Sequence, residues 1–285
     1  MDLKNMNMSD LKPATPEDAL NFRSVSDVQL SPNGSAVAYV VGDNYSEESN
    51  LPKSSIWIVQ SAGGTPKQFA GPSVSDVAPR WSPDSKTIAF LSKKPDDEQR
   101  QLFVQDVSSG NARRVFDQKN LPLPKIFRSV AWCPEGKRIS FIGKDPETEH
   151  ERQKRLAGND EVEADNNNKY SRLYVVTLDT GEVKCISPAG IQIWESCWSP
   201  DGREIAAVSS DLPTEGDWYK CQLITFPTRG GPAIKLHSSR RQVAAPSWSP
   251  DGDSIAFLTS TWSDRGLHAG EVMVVSAKDG SLQLE

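Results

Sequence analysis

The side chains with chemical potential in this chain are serines, three histidines, four cysteines and a dense set of carboxylates. A serine becomes a nucleophile on an α/β-hydrolase scaffold when G-x-S-x-G sets it on a strained strand-to-helix turn. No serine here has glycine on both sides at that spacing, and the nearest stretch, GPSVS at 71–75, fails at Ser75. His150 lies in an acidic stretch, and it, His237 and His268 each read as solvated or structural histidines. Cys133, Cys185, Cys197 and Cys221 are separated by 52, 12 and 24 positions, which matches neither a zinc spacing nor a dense disulfide framework. P-loop, dinucleotide and H-E-x-x-H patterns do not occur. The reading is therefore no catalytic residue, no metal ligand set and no cofactor within this stretch of polypeptide. Two segments carry large or polar groups outside any regular pattern: SSDLPTEGDWYKC at 209–221, with Trp218 and Tyr219, and TSTWSDRGLHAGE at 259–271, with Trp262, Arg265 and His268. Contact with a ligand or a neighbouring domain and packing against adjacent structure both explain such residues.

The elements that would position them are legible as a repeat. Aligned on a Ser-Pro or Cys-Pro pair, the copies are QLSPNGSAVAY (29–39), RWSPDSKTIAF (80–90), AWCPEGKRISF (131–141), CWSPDGREIAA (197–207) and SWSPDGDSIAF (247–257). The anchoring prolines are Pro32, Pro83, Pro134, Pro200 and Pro250. Proline pre-sets φ for a turn, the following Asn, Asp or Glu ties it with its side chain, and Gly tolerates the exit geometry. Ahead of the turn stand Leu30, Trp81, Trp132, Trp198 and Trp248; after it come apolar positions at period two, such as Ile88 and Phe90 or Ile255 and Phe257. A second strand pair follows in each copy, for example SRLYVVTLDTGEVKCI, with a glycine turn at its centre. Four strands per repeat of about 50 residues is the sequence form of a β-propeller blade. The fold class is thus all-β: a propeller of four-stranded blades with five repeats present, expected to form an incomplete ring, over residues 25–285.

Two stretches stand outside the repeat. Residues 1–24 contain TPEDAL, with Thr15 as cap, Pro16 at the first helical position and Glu17 and Asp18 behind it, so one short helix is expected there. Residues 145–170 are an insertion in the third repeat, with eight acidic and three basic residues between Asp145 and Asp165. That composition reads as a solvated charged loop, or as a gate or docking element at one propeller face.

Composition narrows the function classes. The chain is 285 residues long with a net charge of −6, a pI near 5.3 and no Lys/Arg run longer than a pair such as Arg240-Arg241. An electrostatic grip on nucleic acid or anionic lipid is excluded on those grounds. No apolar run approaches the roughly 18 residues of a membrane span, and MDLKNMNMSDLKPATPEDAL has no apolar core of a signal peptide, so a cytoplasmic protein is expected.

Taken together, TPEDALNFRSVSDVQLSPNGSAVAYVV, the segment RISFIGKDPETEHERQKRLAGNDEVEADNNNKYSRLYVV, EGDWYKCQL and TWSDRGLHAGEVMVV resemble the N-terminal propeller of prolyl-oligopeptidase-family serine peptidases, in the acylaminoacyl-peptidase and dipeptidyl-aminopeptidase-like branch. The resemblance implies a substrate-gating, size-filtering propeller ahead of a C-terminal α/β-hydrolase domain with a Ser-Asp-His triad, a domain absent from this chain. It implies short peptides as substrates, the hydrolase domain of the same polypeptide as partner, and leaves room for a homo-oligomer. Arg265 and Trp262, and after them Trp218 and Tyr219, are then candidates to line the substrate tunnel or face the hydrolase domain. SPDG repeats are shared with TolB-like propellers, so the alternative is a non-enzymatic scaffold that binds a protein partner.

Overall fold

A computed structural model describes residues 13, 15–45, 53–70, 75–95, 97, 99–116, 125–144, 148–158, 169–239, 241–262 and 268–284. The turn anchors stand between the first and second strands of successive antiparallel units. Blade one comprises β1 (Arg23–Leu30), β2 (Ala36–Asp43), β3 (Ser54–Gln60) and β4 (Lys67–Gln68). Blade two comprises β5 (Ser75–Trp81), β6 (Thr87–Lys93), β7 (Gln101–Asp106) and β8 (Ala112–Arg114). Blade three is β9 (Lys125–Trp132), β10 (Arg138–Lys144), β11 (Ser171–Thr177) and β12 (Val183–Cys185). Blade four is β13 (Gln192–Trp198), β14 (Glu204–Ser210), β15 (Gln222–Pro227) and β16 (Ile234–Ser238), and blade five is β17 (Gln242–Trp248), β18 (Ser254–Trp262), β19 (His268–Ser276) and β20 (Leu282–Leu284). Strands pair in chain order within each blade, and a single parallel pair, Ser54 with Ser75, joins the first two blades into one sheet.

Each anchor turn is closed by its own side chains. Ser31, Ser82, Ser199 and Ser249 donate Oγ–H to Oδ1 of Asn33, Asp84, Asp201 and Asp251 at 2.5–2.8 Å. The same Oγ accepts the backbone N–H that opens the second strand, at 2.9–3.0 Å. In blade three, Cys133 and Glu135 replace that pair: the thiol donates to Glu135 Oε2 at 2.5 Å. Gly202, at φ +68°, sits against this turn, where a Cβ would lie 2.7 Å from Cys133 Sγ.

Blades stack through the residue ahead of the turn. The indole N–H of Trp81 donates to Gln29 O of blade one at 3.1 Å, that of Trp132 to Arg80 O of blade two at 2.9 Å, and that of Trp198 to Ser140 Oγ of blade three at 2.8 Å. Second strands are covered on both sides: Ile88, Ala89 and Phe90 are all fully buried, as are Ile205, Ala206 and Ala207. The small residue between two large ones therefore faces the next blade rather than water. Four apolar clusters result, one at each junction between consecutive blades. First strands touch their successors, β1 on β5, β5 on β9, β9 on β13 and β13 on β17, and so form the inner wall.

The two outer faces differ from these junctions. Leu30, at the anchor position of blade one, is 60% exposed, with Val25 and Val28 beside it on β1. On blade five, Leu258 and Val272 are 38% and 55% exposed, whereas Val208 and Leu223, at the same register in blade four, are fully buried.

The three helices among the described residues share one start signal. α1 (Pro16–Asn21) has the expected Thr15 cap, reciprocated by Asp18. α2 (Glu149–Leu156) lies within the acidic insertion, where charge counting suggests only a solvated loop. Its cause is a capping box in which the amides of Glu151 and Thr148 bond each other's side chains at 3.3 and 2.7 Å. α3 (Glu215–Trp218) is capped by Thr214, which accepts from the Asp217 amide at 3.2 Å.

The cysteines belong to the packing. All four are free thiols; Cys133 and Cys221 are buried, Cys197 is half-buried and Cys185 is exposed. Burial pushes the thiols of Cys133, Cys197 and Cys221 up to about 12, so at neutral pH none of these three is a nucleophile. Native protein at pH 8 should react at Cys185 alone with an aromatic disulfide reagent, and at all four thiols once unfolded; rapid native modification of Cys133 or Cys221 would contradict the packing. Trp198→Ala should lower equilibrium stability by about 3–5 kcal/mol in a urea titration, whereas Leu30→Ala at the exposed equivalent position should cost less than about 1 kcal/mol.

Candidate functional site

Antiparallel order within the blades sorts connections onto two ends. Turns after the first and third strands of each blade emerge at one end; all are short, and all carry a glycine except the 82–86 turn, where Ser85 takes the left-handed position at φ +62°. Connections after the second strand, and the links between blades, emerge at the other. This second end, the loop face, carries α1, α2, α3 and the β18–β19 ends, which run in register to Trp262 opposite His268. Departures from the repeat are therefore concentrated on one face.

Trp218 closes α3 and Tyr219 is its C-cap residue; their rings meet edge to face at 5.2 Å. Trp218 also packs, together with Trp194, on the apolar cluster between blades four and five. Its carbonyl accepts the Cys221 thiol at 2.8 Å, and Trp194 donates its indole N–H to Ser210 Oγ at 2.8 Å. Trp218 is thus packed on the neighbouring blade, and Tyr219 is the half-buried outer member of the pair. Trp262 ends β18, where its backbone pairs with His268. Arg265 lies outside the described residues; of the four candidates the structure brings Trp218 and Tyr219 together.

A strap that the sequence pattern did not reveal crosses the same face. Lys169, at the return of the insertion, donates to Glu151 Oε2 of α2 at 2.8 Å. The adjacent Tyr170 donates its hydroxyl to the Asp211 carbonyl at 3.1 Å, tying the blade-three insertion to the segment that leads into α3. Glu151 is held ionised, its carboxyl brought down to about 2 by Lys169 and by the Thr148 bonds. A lone tyrosine after a polar tract carries no signal in the sequence; only the fold brings it to Asp211.

The inner wall has its own repeated feature. Each first strand carries an irregularity in its pairing with the second strand. At that point Asp27, Ala78, Ser129 and Ala245 adopt φ between 46° and 56°, a strained region for residues other than glycine. All four stand three residues ahead of the anchor position, a place that Glu195 holds in blade four without a positive φ. Asp27 accepts two bonds from Arg80 Nη1 of blade two at 2.8 and 2.9 Å. Glu195 Oε2 accepts the Ala245 amide of blade five at 2.6 Å. Carboxylates on this wall are thus fastened to the next blade.

No grouping of three or more His, Cys, Asp or Glu residues suited to a metal occurs among the described residues. His237 is partly buried on β16, 5.0 Å from the Phe257 ring, and burial keeps its pKa below the usual histidine value, so it is neutral at pH 7. None of the described helices is long and apolar enough to cross a membrane.

Comparison with known proteins places the fold among β-propellers. No protein-family profile matches the chain. An uncharacterized peptidase, YuxL, of Bacillus subtilis is 26% identical over 206 residues, 67% of this chain and 30% of its own length. Dipeptidyl-peptidase 5 of Porphyromonas endodontalis is 36% identical over 78 residues, 27% of this chain and 11% of its own. The chain therefore spans less than a third of either of these two relatives. Among solved structures, the acylaminoacyl peptidase of Pyrococcus horikoshii superposes with a TM-score of 0.64 at 19% identity, covering 92% of this chain and 39% of that one. TolB of Acinetobacter baumannii superposes with a TM-score of 0.58 at 18% identity, over 91% of this chain and 53% of that one. The chain is thus similar in sequence to stretches of two peptidases, and its fold is the β-propeller fold shared with acylaminoacyl peptidase and TolB.

Proposed function

We propose that this chain is the substrate-gating propeller of a serine-type peptidase that cleaves short peptides, in the acylaminoacyl-peptidase or dipeptidyl-peptidase manner. The nucleophile and its triad come from an α/β-hydrolase domain of the same polypeptide, and the enzyme works in the cytoplasm. The observation that carries this reading is the division of labour between the two faces. Tight turns repeat on one, while α2, α3, the Tyr170 strap and the β18–β19 ends crowd the other. A rigid stack of blades with variable connections on one end is suited to admit an extended peptide and refuse a folded one. Arg265, Trp262 and Tyr219 are proposed to face that passage or the hydrolase domain. The likeness to TolB supports a second reading, a scaffold that binds a protein partner through the same loop face.

The test is expression of the complete open reading frame beside the chain alone. The gating reading expects residues 1–285 to leave acetyl-alanyl p-nitroanilide intact, and the complete polypeptide to hydrolyse it through a serine in G-x-S-x-G. Arg265→Ala in that polypeptide should change kcat/KM at least threefold more for a pentapeptide than for a dipeptide analogue. Hydrolysis undiminished when that serine is replaced, or an Arg265→Ala effect equal at every peptide length, would contradict the reading, and a reading frame without a nucleophile elbow favours the scaffold.

A further inference from the structure

The turn face, opposite the loop face, holds a site that the gating reading does not use. At the junction of blades three and four, the guanidinium of Arg138 lies over the Trp198 ring, 5.1 Å from its centre. It bonds both Glu135 oxygens and donates to Gly202 O at 3.2 Å. Trp198 is 8% exposed under this cover. One junction earlier no arginine stands at the equivalent position. The residue four after the anchor proline is Thr87 in blade two, where blade three has Arg138. Thr87 is too short to reach across, and the Trp132 ring is only partly buried. Over it opens a cavity of about 680 Å3 whose lining includes Thr87, Trp132, Asp84, Asp106, Glu135 and Arg113.

The lining chemistry fits what is missing. Asp84 uses Oδ1 for Ser82 and the Lys86 amide, and Asp106 uses Oδ1 for Ser108 and the Ser109 amide. Those bonds keep both carboxylates ionised below the ordinary aspartate range. Glu135 is already paired with Arg138, Arg113 stands in the lining as a cation, and Lys86 is exposed near both aspartates. Net charge in the slot is therefore close to balanced, and selection rests on an indole face with carboxylates at its rim, the arrangement that holds Arg138 next door.

We propose that the slot between blades two and three binds the arginine side chain of a peptide, with its guanidinium over Trp132 and its N–H groups toward Asp84 and Asp106. The ligand takes the place that the protein's own Arg138 takes at the following junction. This inference is independent of the gating reading and concerns the opposite face of the propeller.

Calorimetric titration of residues 1–285 with acetyl-Gly-Arg-Gly-amide, and with the citrulline peptide of equal size, tests it. The arginine peptide should bind with a dissociation constant of about 1 mM and the citrulline peptide roughly tenfold more weakly. Asp84→Asn with Asp106→Asn, the first exposed and the second half-buried, should weaken the arginine peptide roughly fivefold. Thr87→Arg fills the slot from within and should abolish binding while the melting temperature stays at or above that of the parent. Equal binding of the citrulline peptide, undiminished binding to a folded Thr87→Arg variant, or no heat at 10 mM peptide would each overturn the proposal.

Discussion

Each blade here is apolar on both faces, and the rest of the structure follows from covering those faces with neighbouring blades. In a two-layer sandwich a strand buries alternate residues; here the second strand of an inner blade buries consecutive ones, Ile88-Ala89-Phe90 in blade two and Ile205-Ala206-Ala207 in blade four. Hydrophobic contact alone does not set the angle between neighbours. That is the part played by the directional bonds from the anchor indoles to the preceding blade, by the Asp27–Arg80 and Glu195–Ala245 contacts on the inner wall, and by the closed turns on one face. Where a neighbour is missing among the described residues, at Leu30 on one side and Leu258 and Val272 on the other, the same positions lie open.

Repetition also locates function. A residue required at every junction has little freedom to specialise, so chemistry moves to connections that no neighbour constrains. On the loop face these hold three threonine-capped helices and the strap from Tyr170 to Asp211, and they are unlike one another from blade to blade. On the turn face the variation is subtler: a single position, Arg138 in one blade and Thr87 in the preceding one, decides whether an indole face is covered or open.

Much of the architecture was legible because its determinants are local. Pro, Asp and Gly at fixed offsets define a turn, a period of two defines a strand, and a tryptophan recurring at one offset marks a junction. The wall irregularity escaped notice because Asp27, Ala78, Ser129, Glu195 and Ala245 share a backbone position and no side-chain property. Helix α2 was hidden by its charges, although Thr148 and Glu151 carry the start signal. Of the candidate site residues, Trp218 proved to serve packing as well as facing the loop end, since an aromatic in a loop has the same sequence signature in either role. Arg265 falls outside the described residues, and the resemblance to peptidases remains what recommends it.

We propose that the loop face of this propeller decides which peptides reach a hydrolytic centre. It is tested most directly by replacing residues 145–170 with a short turn in the complete polypeptide and measuring kcat/KM across acetylated peptides of increasing length. The account predicts that peptides beyond the native length limit gain at least tenfold relative to the shortest substrate, while the shortest changes little. An unchanged length profile, in a variant that folds as the parent does, would contradict it.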